Sequence, residues 1–213
     1  MSLRNNAGPV TKADPVTMSW AGLDATSGIN HYSLYESKDG GAYTLAATTT
    51  APTFNKNLGP GHTYQFEVTA TDNAGNTSAA KQGVAYKLSL FQENASVIKY
   101  TTPGWTRQTL SGANGGSVDF ASVKGKTATL TFTGFQVAWM STQGPTRGSA
   151  TVKLDSGTAA TINTNTSSAH AAEIVDVVTA AANGSHKLVV SVLGTAGHRG
   201  STSTRSSSCP NSQ

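Results

Sequence analysis

Hydrolysis of a glycosidic bond needs two carboxyl groups facing each other across the substrate. The chain offers eleven acids: Asp14, Asp24, Glu36, Asp39, Glu67, Asp72, Glu93, Asp119, Asp155, Glu173 and Asp176. Most stand in turn-like stretches or alternate out of strand-like ones, which is the pattern of solvated faces. There is no Gly-x-Ser-x-Gly elbow, and the single cysteine, Cys209, lies in a serine-rich tail. Nucleophilic catalysis therefore lacks its usual signals. His31, His62, His170, His186 and His198 are isolated, without the His-x₃-His or Cys-x₂-Cys spacing of a metal cluster. Sugar binding asks for less: an aromatic face against the C–H surface of the ring, and a few planar polar groups for its hydroxyls. Trp105 follows "TTPG" and so stands near a loop, with Tyr100 close by. Arg107 and Arg147 can supply bidentate donors. Each has a plainer role as well: edge packing for Trp105, and for Arg147, in "GPTRG", bonding to turn carbonyls. Trp139 alternates with Val137 and reads as core.

The elements that must position these residues are strands. Charged residues make up 12% of the 213, glycines number 22 and threonines 31. Threonine suits a pleated half-buried surface and glycine suits turns. A net charge of +4 without a Lys/Arg run argues against a nucleic-acid partner. No apolar run reaches the length of a membrane helix. "MSLRNN" has no hydrophobic signal core and reads as the start of a fragment, and one cysteine permits no intrachain disulfide.

In "TYQFEVTATDNAGNTS", Tyr64, Phe66, Val68 and Ala70 alternate with polar residues, which is a strand with one apolar face. "VTMSWAG" and "INHYSLYESKDGGAYTLAATT" add short strands, with "DGG" as a hairpin turn. Closely spaced strands without helical period predict a β-sandwich. Trp20, "LGPGHTY" and "YQFEVTATDNAGNTS" resemble a fibronectin type III domain over residues 8–86. That resemblance implies a core role for Trp20 and a tyrosine corner at Tyr64, after the turn marked by Leu58 and Gly61. The usual first strand is weakly represented by "NNAGPVTKAD", so a short start is expected. No Arg-Gly-Asp triplet is present to support integrin binding.

From Leu88 onward "SLFQENASVIKYT", "GGSVDFASV", "TATLTFTGFQVAWMST", "SATVKLDSGTAATINT", "AAEIVDVVTA" and "HKLVVSVLGT" read as strands or strand pairs. "SGANGG", "GPTRG" and "AANGSH" read as turns. Leu130 and Phe132 share one parity, while Phe135, Val137 and Trp139 share the other; a glycine between them, Gly134, marks a bulge or corner. About eight strands over about 110 residues fit a jelly roll. The fold class is therefore all-β with two β-sandwich domains: residues 1–87 and residues 88–200, followed by an atypical tail at 201–213.

"PGW…GGS…TATLTFTGFQVAWMSTQGPTRGSATVKLD…GSHKLVVSVLGTAG" is similar to galactose-binding-like jelly-roll modules of secreted actinobacterial proteins, from about Leu90 to Gly197. The resemblance implies a secreted or cell-surface setting within a longer precursor. It also implies a non-catalytic accessory role, with polysaccharide or cell-wall glycan as partner. Calcium is possible in such modules, but no Asp-rich loop names its ligands. A structural spacer or adhesion segment is the alternative, and a hydrolase fragment the third reading.

Modules of this type end in a strand resembling Val-Asp-Val-Asp-Ala-Phe-Val-Val-Leu, where this chain has "STSTRSSSC", Ser201 to Cys209. In GC-rich codons the family strand is GTC GAC GTC GAC GCG TTC GTC GTC CTG. Read one base later, it becomes Ser-Thr-Ser-Thr-Arg-Ser-Ser-Ser and a TG-initial codon that can encode cysteine. The tail is accordingly expected to be a frameshifted last strand. Loss of its apolar side chains would leave a sheet edge that the tail fills through its backbone hydrogen bonds alone, or that a second copy of the chain pairs with, giving a homodimer.

Overall fold

The computed structural model describes residues 1–10, 13–194 and 200–204, the last five through their backbone. The chain forms β1 (Ser2–Asn5), β2 (Gly8–Pro9), β3 (Asp14–Ser19), β4 (Ile29–Lys38), β5 (Thr44–Thr49), β6 (Thr53–Leu58), β7 (Thr63–Asp72), β8 (Lys81–Gln82) and β9 (Tyr86–Lys87). It continues with β10 (Ile98–Tyr100), β11 (Thr106–Thr109), β12 (Ser117–Ala121), β13 (Thr127–Gln143), β14 (Ser149–Leu154), β15 (Ala160–Asn163), β16 (His170–Val192) and β17 (Gly200–Thr204). The fold is all-β, built as two β-sandwiches.

The first sandwich packs a β1-β3-β6 sheet against a β5-β4-β7-β8 sheet, with β9 also on β7. Alternation sends Val16 and Met18 from β3, and Tyr64, Phe66 and Val68 from β7, into one core with Trp20, Leu34 and Leu58. Asp39 and Gly40 both take positive φ, 53° and 75°, in a tight turn closed by Gly41 N donating to Lys38 O at 3.0 Å, within the five residues that join β4 to β5. Trp20 is 8% exposed and meets Tyr32 edge-on, with 5.7 Å between ring centroids. The Tyr64 hydroxyl accepts from Gly59 N at 3.0 Å and donates to Gly59 O at 3.1 Å, closing a tyrosine corner. Tyr64→Phe strands both Gly59 groups and is expected to cost about 1–3 kcal/mol. Urea unfolding of the variant checks this, and an unchanged midpoint would show the corner to be ornamental.

The expected short start is corrected by the structure. Ser2–Asn5 pairs with β3 from Ser2↔Ser19 to Asn5↔Val16. Leu3 is buried in the core, and the Tyr86 hydroxyl takes both Leu3 N, at 3.1 Å, and Leu3 O. The chain then crosses to the second sandwich before returning to β3. Gly8 and Pro9 pair with Ile174 and Glu173 of β16, and Val10 N donates to Ala172 O at 3.1 Å. Val10 packs among Ala138, Met140, Ala172 and Ile174, and Asn5 N donates to Gln136 Oε1 at 2.8 Å.

In the second sandwich the strands join in one nine-stranded sheet, and the long β13 and β16 bend through both of its layers. The amino-terminal half of β13 pairs with β10 and the carboxy-terminal half of β16; its other half pairs with β17 and the first half of β16. The corner falls where glycine marked it, with a register shift between Gly134 and Gln136. The one-residue slip lets Leu130 and Phe132 from one layer, and Val137 and Trp139 from the other, point into the same core. Phe135 does not join them as its parity suggested. It sits on the shift, is turned outward and packs edge-on against Tyr86 of the first sandwich at 6.0 Å. "AANGSH" likewise does not separate two strands: it lies inside β16, as an excursion between Thr179 and Gly184 opposite the corner.

The backbone of Gly200–Thr204 occupies the slot between β12 and β13, with Thr202 opposite Asp119 and Thr204 opposite Trp139. The tail backbone thus lies at that edge, the first of the two arrangements expected there. Arg205 onward, with Cys209, lies outside the described residues.

Candidate functional site

Three of the four expected residues meet at one corner of the second sandwich. Tyr100 ends β10, Trp105 precedes β11 and Arg107 lies within it. The Tyr100 and Trp105 rings are tilted by 52° with centroids 4.8 Å apart. The Tyr100 hydroxyl donates to Glu93 O at 2.9 Å. Trp105 is half-buried: its ring rests on the core cluster, and Nε1 is buried without a hydrogen-bond partner among the described residues. The aliphatic chain of Lys126 lies across Gly104, so a Cβ there would stand 2.8 Å from Lys126 Cε.

Arg107 does not present an open fork. Cross-strand register places it opposite Asp119, and Nε and Nη2 donate to the two Asp119 carboxylate oxygens at 2.9 Å each. Those hydrogen bonds push the guanidinium pKa above its ordinary value and hold it charged. Glu93, 3% exposed, approaches Arg107 Nε at 4.0 Å and accepts from the Ser117 hydroxyl through Oε1. Its Oε2 is buried without a partner among the described residues. The corner is therefore an aromatic pair beside two buried acids, Glu93 and Asp119, covered by the exposed Arg107.

Glu93 and Asp119 correct the reading of the acids as solvated: both are buried, as are Asp14 and Glu173. In a strand, one charged residue between apolar ones looks the same in sequence whether it faces water or an arginine on the neighbouring strand. The missed signal was the facing pair of "TRQT" and "SVDF", whose register puts Arg107 beside Asp119.

Arg147 lies elsewhere. With Leu110, Gln143 and His170 it lines a cavity of about 390 Å³ at the loops joining β13 to β14 and β15 to β16. Arg147 N donates to Gly144 O at 3.0 Å, as expected of a turn residue. His170 Nδ1 stands 3.2 Å from Glu173 Oε1. Among the described residues no group of three or more His, Cys, Asp and Glu side chains gathers to hold a metal, and no helix is long and apolar enough to cross a membrane.

One titrating pair is well defined. Asp155 accepts from Lys187 N and His186 Nδ1, each at 2.7 Å, and His186 Nε2 faces Ala182 O at 3.1 Å. The Lys187 amide, and then His186, hold the Asp155 carboxyl below its ordinary range, while Asp155 pushes His186 up. A depressed Asp contributes stability above 3.8 and loses it as pH falls through the lowered value. A raised His contributes below 6.5 and loses it as pH rises through the raised value. The gap in melting temperature between wild type and His186→Ala is expected to be widest between pH 3.8 and 6.5, shrinking on both sides. A gap that stays flat from acid to alkaline pH would contradict the pairing.

No family model matches the chain. Endoglucanase B from Cellulomonas fimi is 43% identical over 72 residues, covering 33% of this chain and 7% of that protein. The exo-beta-1,3-galactanase from Phanerochaete chrysosporium is 12% identical with a TM-score of 0.40, over 92% of this chain and 69% of that one. A structure of carbohydrate-binding modules from the β-sandwich superfamily is 12% identical with a TM-score of 0.30, over 99% of both chains. Structural likeness at these scores carries no argument about function.

Proposed function

We propose that the chain is a non-catalytic, extracellular pair of accessory modules whose second sandwich binds polysaccharide or cell-wall glycan for a larger secreted enzyme or surface protein. The carrying observation is the 43% identity to Endoglucanase B over a stretch that spans 7% of it, an accessory-sized piece of a protein named for acting on a glucan. The half-buried Trp105, tilted against Tyr100 at a sandwich corner, supplies the aromatic surface a sugar ring needs. Arg107 orders that corner through Asp119 more than it offers donors.

The finer reading keeps a fibronectin type III domain at residues 8–86, supported by two facing antiparallel sheets of three and five strands, the Tyr64 corner and the core Trp20. It keeps a galactose-binding-like module of actinobacterial type at residues 90–197, and a tail read out of frame from Ser201. The codons from Ser201 onward test the last point directly: they encode the family strand one base away, or the proposal falls.

Affinity electrophoresis in soluble polysaccharides tests the function. Retardation is expected for the wild type, and Trp105→Ala is expected to weaken it about tenfold, or about 1.4 kcal/mol. No retardation on any glycan would leave a structural spacer. Turnover of chromogenic glycosides or esters would overturn the non-catalytic reading.

A further inference from the structure

The strand β14, the turn after it and the middle of β16 enclose a cleft of about 650 Å³, within the size range of small-ligand sites. Its walls include Val152, Leu154, Ala160 and Val178, with Asp176 and the Asp155–His186 pair as its charged groups. The two acids differ in what already satisfies them. Asp155 is taken by His186 and the Lys187 amide. Asp176 draws on the Val177 amide, yet its Oδ2 is buried without a hydrogen-bond partner among the described residues.

We propose that this cleft is a second sugar subsite of the same module, taking a neutral sugar residue that donates a hydroxyl to Asp176. The inference rests on the glycan-binding reading and adds a place and a ligand class to it. A buried carboxylate oxygen is costly until something donates to it; rotation of the Asp176 side chain would turn Oδ2 into the cleft, where a sugar offers several hydroxyl donors on a ring whose C–H faces suit aliphatic walls. An acidic sugar would set a second carboxylate against Asp176 and is excluded. A cationic amino sugar would satisfy the same oxygen, but a chain of net charge +4 opposes the approach of a polycation. Burial raises the pKa of Asp176 above its ordinary value, the direction expected of a carboxylate short of donors.

The test uses the full chain, titrated with cello-, xylo- and laminari-tetraose, a glucosamine tetramer and tetragalacturonate. Calorimetry reads affinity, and the ring resonances of His186, which lines the cleft, report occupancy by NMR. A neutral tetrasaccharide is expected to shift the His186 resonances. Asp176→Leu, which removes the acceptor, and Ala160→Phe, which plugs an exposed wall position, are each expected to weaken that binding at least tenfold; melting curves check that both variants fold. If a tetrasaccharide binds without moving His186, and both cleft variants match wild type while Trp105→Ala loses affinity, the subsite is wrong and the glycan reading stands. If none of the five ligands binds, the reading itself fails and the subsite with it. If only the glucosamine tetramer moves His186, the site is a cation site and the neutral-sugar proposal is overturned.

Discussion

Trp139→Ala is expected to destabilise the second sandwich by about 3–5 kcal/mol, the range for deleting a large buried aromatic side chain. Trp139 is 1% exposed and is among the largest fully buried side chains. It stands on β13 between Asp176 of β16 and the backbone of Thr204 in β17. Its ring shares the core with Ile98, Leu130, Phe132, Val152, Leu188 and Val190, all from the layer facing it. Strands paired on both sides relax little into a void, so the cavity term should persist. The indole Nε1 has no hydrogen-bond partner among the described residues, so the loss is one of packing and Trp139→Phe should recover part of it. A domain typically holds only about 5–15 kcal/mol, which makes the alanine variant marginal. Urea unfolding followed by circular dichroism measures the cost, and a loss below about 1 kcal/mol would show that the core does not depend on this ring.

Removal of residues 1–10 is expected to damage both sandwiches at once. Leu3 is buried in the first core and Val10 in the cluster on β13 and β16. Burying each side chain is worth about 1.5–3 kcal/mol, or about 3–6 kcal/mol for the two. The truncation also strips β3 of its β1 partner, takes Leu3 from the Tyr86 hydroxyl and Asn5 from Gln136, and uncovers β16 at Glu173 and Ile174. The segment acts as a clasp, since β1 belongs to one sandwich and β2 to the other. Phe135 against Tyr86 is then left to hold the junction. The truncated chain should melt lower, and its small-angle scattering should require a wider spread of angles between the sandwiches. Identical melting and scattering would mean that the clasp holds nothing. The milder Val10→Asp should reproduce the effect on the second sandwich while leaving β1 in place.

Much of this fold is legible in local chemistry. The alternation of Tyr64, Phe66 and Val68 locates β7 and its buried face, because side chains in a strand leave on alternate sides. Asp39-Gly40 names its turn because few residues tolerate positive φ. The parity slip at Gly134 locates the corner of β13, because a one-residue register shift sends the side chains that follow to the other face. Trp20 and Tyr64 take the core and corner roles that the family resemblance implies.

What the residues could not announce depends on partners distant in sequence. Nothing in "SLRN" or "GPV" carries a period long enough to read, yet these residues pair with β3 and with a strand more than 160 positions away. The candidate site divides along the same line. Tyr100, Trp105 and Arg107 are close in sequence and meet in space, whereas Arg147 is carried to another cavity by the turn between β13 and β14. Asp119 and Glu93 look like surface acids until register sets Arg107 beside them. Asp176 lies directly across from Trp139 on the neighbouring strand, so it faces the core side of β16 with one carboxylate oxygen buried. By itself the sequence determined the all-β class, the main strands and the aromatic candidates, because each rests on steric or apolar preferences acting over a few residues. Tertiary structure alone decided which acids are buried, that Arg107 is paired with Asp119 and where a second cleft opens, because those depend on register between strands that no local pattern encodes.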